Sequence, residues 1–525
     1  MTDQSQERQP GDEPGNTSAA ADGLAARPAS SPPSLADSHS PLPPGVESRP
    51  GLARVLGPGM AVAMVVGNVI GSGIFLKPGG IAAASGSFGM ILSAWVLGGA
   101  VCIVGGLCFS ELAAMLPRAG GLYVYLREAW GRPVAFLFGW SEFLFGKPAS
   151  IGALAVAFTT ALAETARFDS RSLGAAGCAI GLILLMGWIN IAGVIWGGRV
   201  QATVTIIKAG SLVLLAGLPF AAMLAGQHTF DVARYQTTFT PATADWATRF
   251  GAVMLAVMWA YNGWHGVTPV AEEVRNPQRN LPLALLGGIA ILIVLYLGVN
   301  LAMHGVLTME EMAAAGETVP QQMVRRILAG AGSGATQTGV AIISAVIMCS
   351  TFGAINSNML SGPRVSFAMG RDEVFFHSLG LVHSNYRTPA VAIAVQTIMG
   401  TVLVAASAIL LRAVPALADR SIFSMLTDYV VFSASLFYVL AVAAVIRLRM
   451  THPEWERPFR VPGYPLVPLA GVAFYGWFLW YVYLGKPFEA QVGLVLVAAG
   501  LPVYFLYRRW RQHAAISAPR QDADR

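Results

Sequence analysis

Apolar runs of roughly 20 residues, each long enough to cross about 30 Å of hydrocarbon as a helix, recur along this chain from Val55 to Tyr507. Nothing else in the sequence constrains the fold as strongly. Inside a bilayer every backbone N–H and C=O must be satisfied internally, and only helices and closed barrels achieve that. Runs of this length read as spanning helices. About twelve runs can be placed, at 55–79, 87–116, 132–163, 174–195, 200–225, 247–272, 280–305, 336–368, 389–411, 422–446, 466–485 and 489–507. Hydrophobic residues make up 55% of the 525, more apolar surface than a soluble domain of this size could hide. The expected fold is an all-α integral membrane protein whose single bundle occupies residues 51–510.

The flanks differ in kind. Residues 1–50 mix Pro, Ser, Gly, Ala and charges of both signs with almost no large apolar side chain. Such a segment cannot repay the entropy of ordering and is expected to be a disordered tail. It also lacks the apolar core of a secretory signal, so the first span is expected to be retained. Arginines crowd the loops that share a side with both termini, for example Arg118, Arg127, Arg275, Arg364 and Arg460. That bias predicts cytoplasmic termini, with 511–525 as a second short tail, in a cell membrane.

Composition also excludes several functions. The 34 Lys and Arg against 28 Asp and Glu are explained by this topology, and no nucleic-acid partner is expected. Cys102, Cys108, Cys178 and Cys349 all fall inside apolar runs and show no disulfide or metal-ligand spacing,. No nucleophile, base and orienting group converge in one motif, so neither catalysis nor a cofactor is expected.

The first run contains "VVGNVIGSGIFLKPGG", whose glycines and proline weaken a helix where a membrane should favour one. Glycines also serve close packing of membrane helices, and "GGAVCIVGG" in the second run needs no ligand. Five spans later, however, Gly263, Gly266 and Pro269 interrupt "WAYNGWHGVTPVAEE" in the same way. Paired interruptions in corresponding places of two five-span halves point to an inverted-repeat transporter with its site between the two broken helices. At "GSG" a fresh helix begins, and its N–H groups and positive dipole end suit a carboxylate. Gly71 and Gly73 let that anion approach, and Ser72 can donate a hydroxyl. A β-branched side chain at Gly73 is expected to fill this pocket without unfolding the protein. At "WAYNGW" the first half-helix ends in carbonyls that suit an ammonium. Amine and carboxylate held together are the common part of any α-amino acid.

The segments "VIGSGIFLKPGGI", "FSELAAMLPRAGGLYVYLREAWGRPVAFLFGW", "WAYNGWHGVTPVAEEVRNPQRNLPLAL", "STFGAINSNMLSGPRVSFAMGRDEVFF" and "ERPFRVPGYPLVPLAG" carry a resemblance. Over roughly residues 52–485 they resemble the amino acid–polyamine–organocation superfamily, especially its L-type amino acid transporters and bacterial amino acid exchangers. The resemblance implies a LeuT-like fold of five-plus-five inverted repeats with two extra helices and with helices 1 and 6 broken. It implies that Val69, Ile70, Gly71, Ser72 and Gly73, together with Trp259, Tyr261, Asn262 and Gly263, surround the substrate. Where family members often carry Phe and Gly, this chain has Trp259 and Asn262, which crowds the span 6 side and favours small or medium side chains. Mammalian members join a heavy chain through a cysteine between spans 3 and 4. The matching "AETARFDSRS" has none, so no disulfide-linked heavy chain is expected.

Lys208 is the one lysine of span 5 and lies nine residues beyond Arg199, a helical rise of about 13 Å. A charge at that depth is costly and must face the bundle interior and find partners. The resemblance implies that it stands in for the sodium ion of sodium-coupled relatives and bridges span 1 to span 8, where Ser350, Thr351 and Asn356 are polar candidates. Glu111, Glu272, Glu273 and Arg364 are expected as anchors or inner-gate pairs, and His265 as a buried hydrogen-bonded residue. The expected function is sodium-independent transport of neutral L-amino acids by alternating access, as an exchanger or a proton-linked permease. A membrane amino-acid sensor, or a permease for cationic amino acids or polyamines, fits the same residues.

Overall fold

The computed structural model describes residues 54–192, 198–226, 229–241, 245–381, 383, 388–415 and 420–517. The tail expected at 1–50 lies outside the described residues. Among the described residues eleven helices are long and apolar enough to cross a membrane. Spans 1 to 5 are Pro58–Leu76, Phe88–Met115, Arg132–Ala166, Leu173–Ile191 and Ala202–Leu224. Spans 7 to 12 are Pro277–Val306, Ser333–Arg371, Ala390–Ala413, Ile422–Thr451, Leu466–Gly485 and Pro487–Gln512. Span 6 completes the expected twelve, but its helix, Trp246–Tyr261, stops after 16 residues, well short of the run at 247–272. Among the described residues no β-strand forms.

Local chemistry sets the helix starts. Ser172 Oγ accepts from Ala175 N (3.1 Å), Asp245 Oδ2 from Thr248 N (2.7 Å) and Ser421 Oγ from Ser424 N (3.0 Å), each satisfying a donor that the first turn leaves free. Pro58, Pro277 and Pro487 occupy first turns, where a missing N–H costs nothing. Span 8 runs beyond the apolar stretch read at 336–368, from Ser333 to Arg371.

The two most extensive helix interfaces join span 2 to span 7 and span 3 to span 8. Each pair is separated by five spans, as expected when a five-helix unit is repeated about a two-fold axis and the elements nearest that axis meet their own counterparts. The fold is thus a five-plus-five bundle with two further helices, and the helices that break are counterparts too, spans 1 and 6. Lipid-facing positions stay apolar and exposed, as at Ile206, Leu214 and Val294, while Trp95, Tyr296 and Lys208 are fully buried.

Ion pairs form among the residues expected as anchors or inner-gate pairs. Arg364 Nε is 3.0 Å from Glu273 Oε1, and Arg371 Nη1 is 3.6 Å from Glu272 Oε2. Glu111, buried at the end of span 2, accepts from Arg449 Nε and Nη2 (2.8 and 2.6 Å) and from Val461 N (2.7 Å).

Candidate functional site

The span 1 helix ends at Val69, and Ile70 leaves the helical region with φ −69° and ψ 88°. A new short helix starts at Gly73 and runs to Leu76. The break releases acceptors and donors unequally. Val69 O accepts from Tyr296 Oη (3.1 Å), Ile70 O from Lys208 Nζ (3.0 Å) and Ser350 Oγ (3.1 Å), and Gly71 O from Ser350 Oγ (3.1 Å). Gly67 O also accepts from Lys208 Nζ at 3.0 Å. Side chains of spans 5, 7 and 8 therefore take up the freed carbonyls. The N–H groups of Gly71, Ser72 and Gly73 have no partner among the described residues. A buried N–H demands an acceptor, so the break is a net donor site, suited to an anion.

Span 6 breaks differently. Its helix ends at Tyr261, Asn262 is extended, and Gly263 sits at φ +99°, a conformation that favours glycine. The chain then turns, with Gly266 N donating to Gly263 O (2.8 Å), before a 3₁₀ segment at Thr268–Glu273. The carbonyls expected to be open for an ammonium are largely occupied. Trp259 O accepts from Asn262 N (3.0 Å), Ala260 O shares the single Tyr296 Oη proton with Val69 O (3.1 Å to each), and Gly263 O also accepts from Asn68 Nδ2 (2.8 Å). At membrane depth a released carbonyl captures whichever donor the neighbouring helices offer. A second lone pair on the Trp259 carbonyl remains for a ligand.

Seven of the nine residues expected around the substrate line one cavity between the breaks: Val69, Gly71, Ser72, Gly73, Trp259, Asn262 and Gly263. Its empty space, counted out to the mouth, is ≈ 560 Å³. Ile70 and Tyr261 do not line it. Ile70 turns its carbonyl to Lys208, and the Tyr261 ring packs against Trp95 and Tyr296, with centroids at 5.6 and 5.3 Å. Trp259 Nε1 donates to Ser72 Oγ (3.3 Å) across the cavity, which draws the indole over the break in span 1.

Gly73 lines the cavity and also has a second role. A Cβ there would lie 2.4 Å from Ala260 Cα, so this glycine lets spans 1 and 6 cross, and a side chain would strike backbone before it filled any pocket. At Gly71 the nearest atom would be Leu154 Cδ2 at 3.2 Å, a contact that a flexible side chain can relieve.

Lys208, only 1% exposed, meets span 1 directly and span 8 through a shared acceptor, the Ile70 carbonyl that Ser350 also reaches. Thr351 and Asn356 take other partners. Thr351 Oγ1 donates within its own helix to Ile347 O (2.9 Å), and Asn356 Oδ1 accepts from Asn190 Nδ2 (3.1 Å).

Further polar groups line the cavity opposite the breaks. Span 3 makes a π turn at Glu142–Gly146, a distortion common at functional sites. It brings Glu142 and Lys147 within 3.4 Å of each other, and Lys147 Nζ donates to Asn358 Oδ1 (3.2 Å). Tyr438 Oη lies 2.7 Å from His265 Nε2 and donates to Asn262 Oδ1 (3.1 Å). Glu142, Asn358 and Tyr438 were missed in the sequence, although "GKP" in the middle of span 3 marks the turn that positions the first.

The model of a family described as amino acid permease matches residues 56–499. The Serine/threonine exchanger SteT of Bacillus subtilis (strain 168) is 33% identical over 458 residues, spanning 87% of this chain and 97% of that protein. The Asc-type amino acid transporter 1 of Homo sapiens is 28% identical, over 89% of this chain and 85% of its own length. The b(0,+)-type amino acid transporter 1 of Homo sapiens is 28% identical, over 88% and 89%. A twelve-span bundle broken at spans 1 and 6, a donor-lined cavity at the breaks and these matches agree: the chain belongs to the amino acid permease family, and it is a multi-pass membrane transporter of amino acids rather than an enzyme.

Proposed function

We propose that this transporter is a sodium-independent exchanger of neutral L-amino acids with small side chains, set in a cell membrane with both termini in the cytoplasm. The observation that carries the reading is the unequal break in span 1. Its N–H groups at Gly71, Ser72 and Gly73 stay open to a substrate carboxylate, while the carbonyls behind them are held by Lys208, Ser350 and Tyr296. Lys208 Nζ occupies a carbonyl cluster that would otherwise suit a sodium ion. Neutral substrates are favoured because Glu142, the carboxylate that lines the cavity among the described residues, lies 3.4 Å from Lys147 and is not free to hold a cationic side chain. Trp259 and Asn262 limit the room left for the side chain, and the name of the SteT relative, a serine/threonine exchanger, agrees with small substrates.

Competition against labelled serine uptake in proteoliposomes tests this reading. Serine, threonine, alanine and valine are expected to compete well, and ethanolamine, arginine and putrescine poorly. Equal competition by ethanolamine and serine would remove the carboxylate site, and strong competition by arginine would remove the neutral preference.

A further inference from the structure

A second cavity shares no lining residue with the first. It lies between the start of span 3, the residues that follow span 8 and the last turns of span 12, and its empty space out to the mouth is ≈ 940 Å³. Arg132, Arg508 and Arg511 line it together with Asp372 and Glu373. Both carboxylates are already matched. Asp372 accepts from Arg127 Nη1 at 2.6 Å to each oxygen and from Tyr123 Oη at 2.8 Å. Glu373 Oε2 is 2.9 Å from Arg511 Nη1, which also donates to the Glu373 carbonyl. Arg132 on one wall and Arg508 on the other have no ion pair or hydrogen bond among the described residues. Tyr504 lines the same space, is 6% exposed, and its hydroxyl is likewise without a partner among the described residues.

Two unmatched guanidiniums facing one cavity call for an anion with several acceptor oxygens, which their planar forks bind well. The surroundings identify its source. Span 12 continues from the cavity into an apolar surface, with Phe505 51%, Leu506 65% and Trp510 64% exposed, and such a surface on a spanning helix meets acyl chains. Tryptophan at the end of a span marks the headgroup level, and basic pockets between spans at that level suit anionic headgroups. We propose that this cavity binds the phosphate headgroup of an anionic phospholipid, held by Arg132 and Arg508, with its chains along span 12.

The full-length protein, purified in neutral detergent, would be titrated with phosphatidylglycerol and followed by native mass spectrometry, with glycerol 3-phosphate as the competitor that has the headgroup anion but no chains. One lipid is expected to bind in the wild type. Arg132→Gln and Arg508→Gln are each expected to weaken it about fivefold and together about thirtyfold, from roughly 1 kcal/mol per basic residue. Arg509→Gln removes the same charge from the same helix outside the cavity and is expected to leave binding unchanged. The proposal is overturned if the double variant binds as the wild type does, if Arg509→Gln weakens binding equally, or if glycerol 3-phosphate binds as tightly as the lipid.

Discussion

Lys208 and Ser350 share one acceptor, and that shared carbonyl fixes how their substitutions combine. Lys208 Nζ donates to Gly67 O and Ile70 O, and Ser350 Oγ to Ile70 O and Gly71 O. In Lys208→Met the Gly67 carbonyl loses its side-chain donor, but Ile70 O keeps a share of the single Ser350 proton. In Ser350→Ala the Gly71 carbonyl loses its donor, but Ile70 O keeps Lys208. A buried acceptor left bare costs about 1–3 kcal/mol, so each single variant is expected to lose about 2 kcal/mol, roughly thirtyfold. Only the double variant leaves Ile70 O with no donor at all; because the one Ser350 proton is shared between Ile70 O and Gly71 O, this adds about 1 kcal/mol beyond the sum of the singles. The assay is a double-mutant cycle on purified wild type, both singles and the double, read as thermal unfolding and as kcat/KM for serine exchange in proteoliposomes. Additivity within about 0.5 kcal/mol, or a Lys208→Met exchanger within about twofold of wild type, about 0.4 kcal/mol, would refute the shared-carbonyl arrangement.

Gly73→Ala places a Cβ 2.4 Å from Ala260 Cα and is expected to cost about 1–3 kcal/mol or more through overpacking, visible as a lower unfolding temperature. Gly71→Ala meets only Leu154 Cδ2, at 3.2 Å, and is expected to keep its unfolding temperature while KM rises; the opposite order would contradict the assigned roles. Asn262→Gly removes side-chain volume from the cavity and frees Tyr438, so the ratio of kcat/KM for leucine over serine is expected to rise about tenfold, measured by competition. Arg449→Met leaves Glu111, whose side chain is 2% exposed, with Arg457 Nε at 3.7 Å. It is expected to destabilise the folded protein by about 3 kcal/mol while leaving the serine preference unchanged.

What the sequence made legible follows from range. Span lengths could be read because bilayer thickness fixes them, and the two breaks because Gly71, Gly73 and Gly263 are local exceptions in apolar runs. The partners of the freed carbonyls could not. Tyr296 reaches Val69 from 227 residues away, and Asn68 reaches Gly263 from 195, and nothing local in "LIVLYLG" sets that tyrosine apart from a packing residue. A glycine that admits a ligand and one that admits a crossing helix are the same letter, so the sequence could not show that Gly73, which lines the cavity, also lets span 6 cross. Lys208 was placed by depth and by the resemblance, which named span 8 but not the residue on it. Depth gives burial but not azimuth, so Thr351 and Asn356 were as good candidates as Ser350 until the helix faces were known.

The most direct test of the proposed function is uptake of labelled serine into proteoliposomes loaded or not with unlabelled serine, in sodium and in choline medium. Uptake is expected only into loaded vesicles, at equal rates in the two media. Sodium-stimulated uptake, or accumulation in empty vesicles driven by an imposed pH gradient, would contradict it.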